Sequence, residues 1–208
     1  ERLADTGALV TTAGRTWVGR KTDVTKPEDC AALIALAIEK YGRVDILVNN
    51  AGVGTAVPAT HETPDQYRWV IETNLMGSYW MAQEFAKANK DGGAIVNISS
   101  VLGLKPQGLP QAAYASSKAG VIGLTRDLAA QWTGRKNIRV NALAPGFFPS
   151  EMSDELPKDM VNMIKMFTPA GRLGDPEELA ATLIWLVSDA SSYVTGITVP
   201  VDGGLVMP

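Results

Sequence analysis

Residue types that build metal sites and covalent cross-links are nearly missing from this sequence, which has one cysteine, Cys30, and one histidine, His61, in 208 residues. A single cysteine cannot form a disulfide within the chain, and one cysteine with one histidine does not supply a zinc site. An excess of positive charge is missing as well, since the formal net charge is −3. We therefore expect neither a metal site nor a nucleic-acid partner, because nucleic-acid binding needs a basic surface.

Long apolar runs are also lacking. No stretch approaches the ~18 consecutive apolar residues of a membrane span, and the first residues form neither a basic nor an apolar signal segment. The composition, 46% hydrophobic and 20% charged, is that of an ordinary globular domain. Since domains usually have about 100–200 residues, we expect one domain over residues 1–208, cytoplasmic and without a membrane partner.

Short apolar segments alternate with longer amphipathic ones, which is the pattern of strand–helix units around a parallel sheet. The strand candidates are Ala8–Thr12, Trp17–Lys21, Asp45–Asn49, Ala94–Ile98, Arg139–Ala142 and Thr198–Val201. The helix candidates, several of which begin with a capping side chain and a proline, are Pro27–Tyr41, Pro64–Lys87, Gln111–Gly134, Lys158–Met166 and Pro176–Ser188. We expect an α/β fold, a doubly wound parallel sheet with helices on both faces.

Small and polar residues follow several of these strands, at the edge where sheets of this kind bind ligands. They are Asn49-Asn50-Ala51-Gly52, the pair Ser99-Ser100, and Pro145-Gly146. Each stretch alone also fits a plain turn or a helix cap. Their combination at one edge makes them candidates for a binding site.

Tyr114 and Lys118 are four residues apart on a predicted helix, so their side chains share one face about one turn apart. A phenol has a pKa near 10 and exchanges protons poorly at neutral pH. A neighbouring ammonium favours the phenolate and lowers that pKa. The pair therefore has the composition of an acid/base device, although a Tyr-x-x-x-Lys spacing also arises by chance.

In order and spacing these features resemble the short-chain dehydrogenase/reductase family, in its single-domain branch. The resemblance extends from Gly7 to Val206 and is carried by Asp23-Val24, Asn49-Asn50-Ala51-Gly52, Asn74, Ser100, Tyr114-x-x-x-Lys118, Pro145-Gly146 and Val201-Asp202-Gly203-Gly204. It implies a Rossmann-like fold and hydride transfer to or from a nicotinamide cofactor. It also implies a homotetramer, which agrees with apolar residues on more than one face of the two longest helix candidates.

The resemblance implies a role for each residue of the acid/base device. Tyr114 is the general acid of a carbonyl reduction or the base of the reverse oxidation, and Lys118 lowers its pKa and binds the nicotinamide ribose. Ser100, rather than its neighbour Ser99, holds the substrate oxygen where charge develops. Asn74 positions a water that connects Lys118 to solvent. Ser116 and Ser117 are interpreted as residues that merely fill the helix.

The same resemblance implies the cofactor contacts. Asp23 and Val24 lie at the adenine edge, while Asn50, Ala51 and Gly52 lie under the adenosine and its ribose. The nicotinamide is lined by Pro145, Gly146 and Phe148, and Ser150 stands where the family often has a threonine that bonds the carboxamide. Tyr114 and Lys118 belong to this set as well.

Two parts of the family pattern have no counterpart near the cofactor. The first is the glycine-rich loop that cradles a pyrophosphate at a helix N-terminus, because Gly7-Ala8-Leu9-Val10 resembles the second strand. The second is a further helix, since only seven residues separate Arg15 from Asp23. We expect that the first strand with its loop, and a segment near Arg15–Thr16, are missing from the given chain.

The choice between NADP and NAD depends on the charge at the end of the second strand. A carboxylate there would bond the ribose 2′-hydroxyl and repel a 2′-phosphate, but this chain has Ala13-Gly14-Arg15. A guanidinium binds a phosphate through two hydrogen bonds. We therefore expect Arg15 to contact the 2′-phosphate and NADP to be preferred, with NAD as the alternative.

These expectations combine into an NADP(H)-dependent oxidoreductase that interconverts a carbonyl and a secondary alcohol and resembles 3-oxoacyl-thioester reductases. One alternative of the same fold is an NAD-dependent sugar or polyol dehydrogenase. An alternative of another class is a dinucleotide sensor or scaffold without catalysis, which the missing phosphate loop favours. The complete set of Asn74, Ser100, Tyr114 and Lys118 argues against that alternative, because a sensor has no need of a tuned phenol.

Overall fold

A four-stranded parallel sheet forms the centre of the molecule. The structure is a computed structural model and describes residues 2–149 and 158–207. The strands are β1 (Ile46–Asn49), β2 (Gly93–Ile98), β3 (Ile138–Pro145) and β4 (Thr198–Val201), and they are neighbours in that order. The register aligns Asn49 with Asn97 and Asn97 with Ala142, so the carboxyl ends of the first three strands lie at one edge. The last four strand predictions are confirmed.

The first strand prediction, Ala8–Thr12, is wrong because these residues belong to helix α1 (Arg2–Thr12). Periodicity alone does not distinguish a short apolar run in a strand from one in a helix. Here the helix satisfies its polar groups locally, since Thr11 Oγ1 donates to the carbonyl of Gly7 at 2.8 Å. Gly14, with a φ of 71°, then ends the helix in the left-handed conformation that glycine adopts without strain.

The second strand prediction, Trp17–Lys21, is also wrong, because this segment has no regular secondary structure. Its bulkiest side chain, Trp17, contacts α1 instead of a neighbouring strand: a Cβ added at Gly7 would lie 2.6 Å from Cδ1 of Trp17. Arg15 therefore follows a helix and not a strand. The predicted position of Arg15 at a strand end is wrong for the same reason.

The helix predictions after residue 26 are confirmed with small shifts at the ends. The remaining helices are α2 (Pro27–Tyr41), α3 (Pro64–Ile71), α4 (Gly77–Ala88), α5 (Ala112–Lys136), α6 (Lys158–Phe167) and α7 (Pro176–Val187). Thr63 caps α3, since its hydroxyl accepts a hydrogen bond from the Gln66 amide at 3.2 Å. The segment predicted as one helix from Pro64 contains a π-helical turn, Glu72–Met76, between α3 and α4.

Helices cover both faces of the sheet. Successive strand residues point to opposite faces, and the apolar residues on each face pack against helices. Ile95 belongs to a core on one face, together with residues of α2, α4 and α5 such as Phe85 and Leu128. Its neighbour Val96 belongs to a second core on the other face, with Leu186 of α7. This arrangement confirms the predicted parallel sheet with helices on both faces.

A chain of buried amides ties the sheet to α5 below the carboxyl edge. Asn49 Nδ2 donates to Asn97 Oδ1 at 2.8 Å, and Asn97 Nδ2 donates to Thr125 Oγ1 at 2.9 Å. All three side chains are buried, so each hydrogen bond replaces one that water would otherwise make. The network fixes the strand ends relative to the helix that carries Tyr114. Within the two described ranges, no helix is both long and apolar enough to cross a bilayer.

Candidate active site

Two neighbouring cavities open at the carboxyl edge of the sheet. The first, here called the cleft, has a volume of about 180 Å³ and is lined by Asn50, Gly52, Ile98, Ser99, Ser100, Tyr114, Lys118, Pro145 and Gly146. The second, here called the β1 cavity, has a volume of about 210 Å³ and is lined by Thr22, Val24, Leu33, Leu47, Val48, Asn49, Asn50, Ala51, Gly77, Ser78 and Met81. Asn50 lines both, so the two cavities lie next to each other at its position.

Tyr114 and Lys118 lie one turn apart on the first turns of α5, as their spacing predicts. The Nζ atom of Lys118 is 5.5 Å from the centre of the Tyr114 ring and donates a hydrogen bond to the carbonyl of Ile98 at 2.8 Å. Only 4% of Lys118 is exposed. Burial disfavours the ammonium and lowers the pKa of Lys118 to about 8.

The pKa of Tyr114 departs from its ordinary value in the direction opposite to the one predicted. Burial raises the pKa, because the phenolate loses more hydration than the phenol, and a hydrogen bond with Ser100 opposes this rise. Lys118 is not among the causes of this shift, so the lowering of the Tyr114 pKa by Lys118 stays a prediction. A phenol with a raised pKa is protonated at neutral pH, which is the form that a proton donor needs.

The two serines after β2 have different surroundings. Ser99 Oγ donates to the carbonyl of Lys118 at 2.8 Å, so its hydroxyl proton is used to anchor α5. Ser100 begins the 3₁₀ turn Val101–Gly103, and its Oγ accepts a hydrogen bond from the Leu102 amide at 3.2 Å. Ser100 also makes a side-chain hydrogen bond with Tyr114 in the cleft. This difference supports the choice of Ser100 over Ser99.

Asn74 lies in the π-helical turn and is completely buried. Its Oδ1 accepts a hydrogen bond from the Val53 amide at 2.8 Å, and its Nδ2 donates to the Val53 carbonyl and to Ser117 Oγ, each at 2.9 Å. Asn74 thereby joins the loop after β1 to α5. A Cβ built on Gly52 would lie 3.5 Å from Asn74 Oδ1 and 3.4 Å from Lys118 Nζ, so these two side chains flank the glycine.

Most of the predicted cofactor residues lie along the two cavities. Val24, Asn50 and Ala51 line the β1 cavity, and Gly52, Pro145 and Gly146 line the cleft with Tyr114 and Lys118. Asp23 is exposed beside the β1 cavity and accepts hydrogen bonds from the amide and hydroxyl of Thr25 at 3.1 and 2.7 Å. These hydrogen bonds lower the pKa of Asp23.

Among the described residues, Phe148 and Arg15 are predicted cofactor residues that line neither the cleft nor the β1 cavity. Phe148 lines a separate cavity of about 130 Å³ together with Phe147, and its ring packs over Gly174, where a Cβ would clash with it. Phe148 therefore lies outside the lining of the cleft, and its contact with a nicotinamide stays a prediction. Arg15 is exposed after α1 and lines neither cavity. Ser150 lies outside the residues that the structure describes.

Two residues at the site were missed or misinterpreted from the sequence. Ser117 is completely buried and bonds Asn74, so it does more than fill the helix. Its position three residues after Tyr114, on the adjoining helix face, was the available signal. Gly54 was not considered, and a Cβ at this position would lie 3.3 Å from Cδ2 of Tyr114. The loop backbone therefore packs directly against the phenol ring.

Comparisons with known proteins agree with this geometry. A family model described as enoyl-(acyl carrier protein) reductase matches residues 1–206. An uncharacterised short-chain type dehydrogenase/reductase of Sinorhizobium fredii is 41% identical over 97% of this chain, and the chain spans 38% of that protein's length. The 3-oxoacyl-acyl-carrier-protein reductase of Thermotoga maritima is 42% identical over 89% of this chain and 75% of its own length.

A solved structure is similar over nearly the whole chain. The gluconate 5-dehydrogenase of Burkholderia cenocepacia, crystallised with NADP and tartrate, is 33% identical and has a TM-score of 0.93. The match covers 99% of this chain and 81% of that one. The likeness shows that the fold of this chain is Rossmann-like, as predicted.

Proposed function

Because the chain belongs to the short-chain dehydrogenase/reductase family of NAD(P)-dependent oxidoreductases, we propose that it reduces a carbonyl group of a small molecule to a secondary alcohol and catalyses the reverse oxidation. In this proposal residues 1–208 form one NAD(P)-binding domain. The observation that carries it is the meeting of Ser100, Tyr114 and Lys118 in one cleft at the carboxyl edge of the sheet.

The β1 cavity and the cleft together form the site in which this proposal places the dinucleotide. The β1 cavity and the cleft share Asn50, and the chain between them continues with the small residues Ala51 and Gly52, over which a ligand comes close to the backbone. A side chain at position 52 would contact the ammonium of Lys118, so the glycine keeps that ammonium accessible. A bound nicotinamide cofactor supplies the hydride.

The side chains of the cleft manage the proton and the developing charge. Tyr114, protonated at neutral pH, donates its hydroxyl proton to the carbonyl oxygen as that oxygen becomes an alcohol. The hydroxyl of Ser100 donates a hydrogen bond to the same oxygen while it carries negative charge. Lys118 would hold the ribose and return a proton to Tyr114, and Asn74, which flanks Gly52 together with Lys118, would position a water that connects Lys118 to solvent.

NADP, rather than NAD, is the cofactor in this proposal. The segment between α1 and α2 carries four cations, Arg15, Arg20, Lys21 and Lys26, and Lys21 directly precedes Thr22, which lines the β1 cavity. Cations near the ribose end of the cavity favour a 2′-phosphate. The Burkholderia enzyme of similar fold was crystallised with NADP, which supports the same choice.

The proposed substrate is a 3-oxoacyl thioester. The Thermotoga relative is a 3-oxoacyl-acyl-carrier-protein reductase, and its similarity to this chain supports this class. The Burkholderia relative is a gluconate 5-dehydrogenase, which supports the second candidate, oxidation of a sugar acid or polyol. A panel of acetoacetyl thioesters, sugar acids and polyols, tested with both cofactors, separates the two.

A homotetramer in the cytoplasm completes the proposal. The stretch from α3 through the π-helical turn leaves Tyr67, Trp69 and Met76 exposed by 40% or more. Clustered exposed aromatic and apolar side chains are typical of a surface that contacts another subunit. Sedimentation of the purified protein measures its oligomeric state directly.

Replacing Tyr114 by phenylalanine tests the function. We expect the Tyr114→Phe variant to reduce acetoacetyl thioesters at least about 10²-fold more slowly than the wild type, since it lacks the proton donor, while it binds NADPH with unchanged affinity. Tyr193→Phe is the matched control, because Tyr193 is fully exposed and lines neither the cleft nor the β1 cavity. Equal rates for the wild type and Tyr114→Phe would refute the assignment of Tyr114. Wild-type protein that binds NADPH without turnover on the whole panel would favour the sensor.

A further inference from the structure

Ser117 links two parts of the candidate active site that come from distant parts of the chain. It stands between Tyr114 and Lys118 on α5 and is completely buried. Its Oγ donates a hydrogen bond to the carbonyl of Tyr114 at 2.7 Å and accepts one from Asn74 Nδ2 at 2.9 Å. The first bond is local to the helix, whereas the second reaches residue 74 in the π-helical turn.

The bond to Ser117 completes the hydrogen bonding of the Asn74 amide. Val53 accepts one amide hydrogen and donates to Oδ1, so two contacts hold Asn74 against the loop after β1. The remaining amide hydrogen goes to Ser117, which is the contact with α5. Because Asn74 is completely buried, water does not replace a lost partner without rearrangement.

We propose that Ser117 is a positioning residue that holds Asn74 at a fixed place relative to Lys118. This inference rests on the proposed function, because it assigns Ser117 a part in the proton path of that reaction. Asn74 Oδ1 and Lys118 Nζ flank Gly52, at 3.5 and 3.4 Å from the position of its missing Cβ. If the amide turns, the polar surroundings of the ammonium change, and the return of a proton to Tyr114 slows.

The neighbouring Ser116 provides a matched control. It lies on the same helix, carries the same hydroxyl and is exposed to solvent. Ser116→Ala removes a hydroxyl from α5 and leaves the bond between Asn74 and Ser117 intact. Ser117→Ala removes the acceptor of Asn74, whereas Ser117→Thr keeps a hydroxyl at the same place.

Steady-state reduction of an acetoacetyl thioester by NADPH tests the kinetic part. We expect Ser117→Ala to lower kcat about tenfold, with KM changed less than twofold, and to shift the pH profile of kcat, because misplaced catalytic groups slow turnover more than binding. Ser117→Thr restores most of kcat, and Ser116→Ala stays within twofold of the wild type. A kcat for Ser117→Ala equal to that of the wild type would overturn the proposal.

A double variant separates positioning from a general loss of structure. Asn74→Ala and Ser117→Ala together should be as slow as Asn74→Ala alone, since residues that act through one another are not additive. Multiplicative effects on kcat would contradict an action of Ser117 through Asn74. A change in melting temperature with an unaltered pH profile would also contradict it and assign Ser117 to helix stability alone.

A measurement without turnover distinguishes failure of this inference from failure of the proposed function. The side-chain amide protons of Asn74, observed by NMR, should exchange slowly with water in the wild type and in Ser116→Ala, and faster in Ser117→Ala. Equal exchange in all three proteins would refute the positioning role whatever the protein catalyses. If the wild type shows slow exchange but reduces no carbonyl, the proposed function and the kinetic part of this inference are refuted. The role of the Ser117 hydrogen bond in holding the Asn74 amide then still stands.

Discussion

Burial of the Lys118 ammonium carries a cost in stability that replacement by methionine removes. The pKa of Lys118 falls from 10.5 to about 8 because the side chain is buried. One pKa unit corresponds to about 1.36 kcal/mol, so keeping this charge in the folded protein at pH 7 costs about 3 kcal/mol relative to the uncharged amine. Methionine has a similar length and no charge, so Lys118→Met escapes this cost at every pH.

The cost has a defined pH dependence. Between pH 8 and 10.5 the unfolded chain still binds the proton that folded Lys118 has lost, so the free energy of unfolding of the wild type rises with pH in this window. Lys118→Met lacks this contribution. We therefore expect the wild type to gain about 2–3 kcal/mol of stability relative to Lys118→Met between pH 7 and pH 10.

Urea unfolding at pH 7 and pH 10 measures the difference in the free energy of unfolding between the two proteins. The comparison is repeated with Tyr114→Phe added to both proteins, because this substitution removes the titration of the phenol. Lys105→Met is the control, because Lys105 is exposed and its replacement should show no comparable pH trend. A difference between wild type and Lys118→Met that is the same at pH 7 and pH 10 would refute the reasoning. Lys118→Met should also lose carbonyl reduction, since it removes the group that serves Tyr114.

Three further substitutions test other contacts. Gly146→Ala should lower the free energy of unfolding by about 1–3 kcal/mol, because its Cβ would lie 2.8 Å from the Asp202 Cα; unchanged urea unfolding would contradict this. Thr125→Val should cost about 1–3 kcal/mol by leaving the buried Asn97 amide without its acceptor, and thermal unfolding comparable with that of Thr125→Ser would contradict it. Arg15→Asp should raise the affinity for NADH relative to NADPH, and an unchanged ratio in cofactor titrations would remove Arg15 from cofactor selection.

Local signals were sufficient for most of the secondary structure. Helix α2 has the predicted bounds, Pro27–Tyr41, because a proline at its start and Gly42 after its end specify both ends. Strand β4 also has the predicted bounds, since a β-branched segment between turn residues is a local pattern. The alternation of strands and helices predicted the carboxyl edge of the sheet as the binding edge, and the family resemblance predicted that Ser100, Tyr114 and Lys118 meet there.

Other features depend on contacts between distant residues. The π-helical turn at Asn74 has no pattern of its own in the sequence, and its amide is held by Val53 and Ser117, 21 and 43 residues away. Gly146 was predicted to serve the nicotinamide, but the structure also gives it a packing reason, the close approach of Asp202, which directly follows β4. Neither contact is visible until the chain is folded.

The sequence by itself determined which elements form after residue 26 and their parallel order around a sheet, because capping, periodicity and turn residues act over a few neighbours. The side chains that meet at the carboxyl edge were predicted from the family resemblance. Only the tertiary structure decided the conformation of residues 8–12, the packing of Phe148 over Gly174, and the rise in the pKa of Tyr114. Each of these depends on which distant groups replace water around a residue, and spacing along the chain does not specify that.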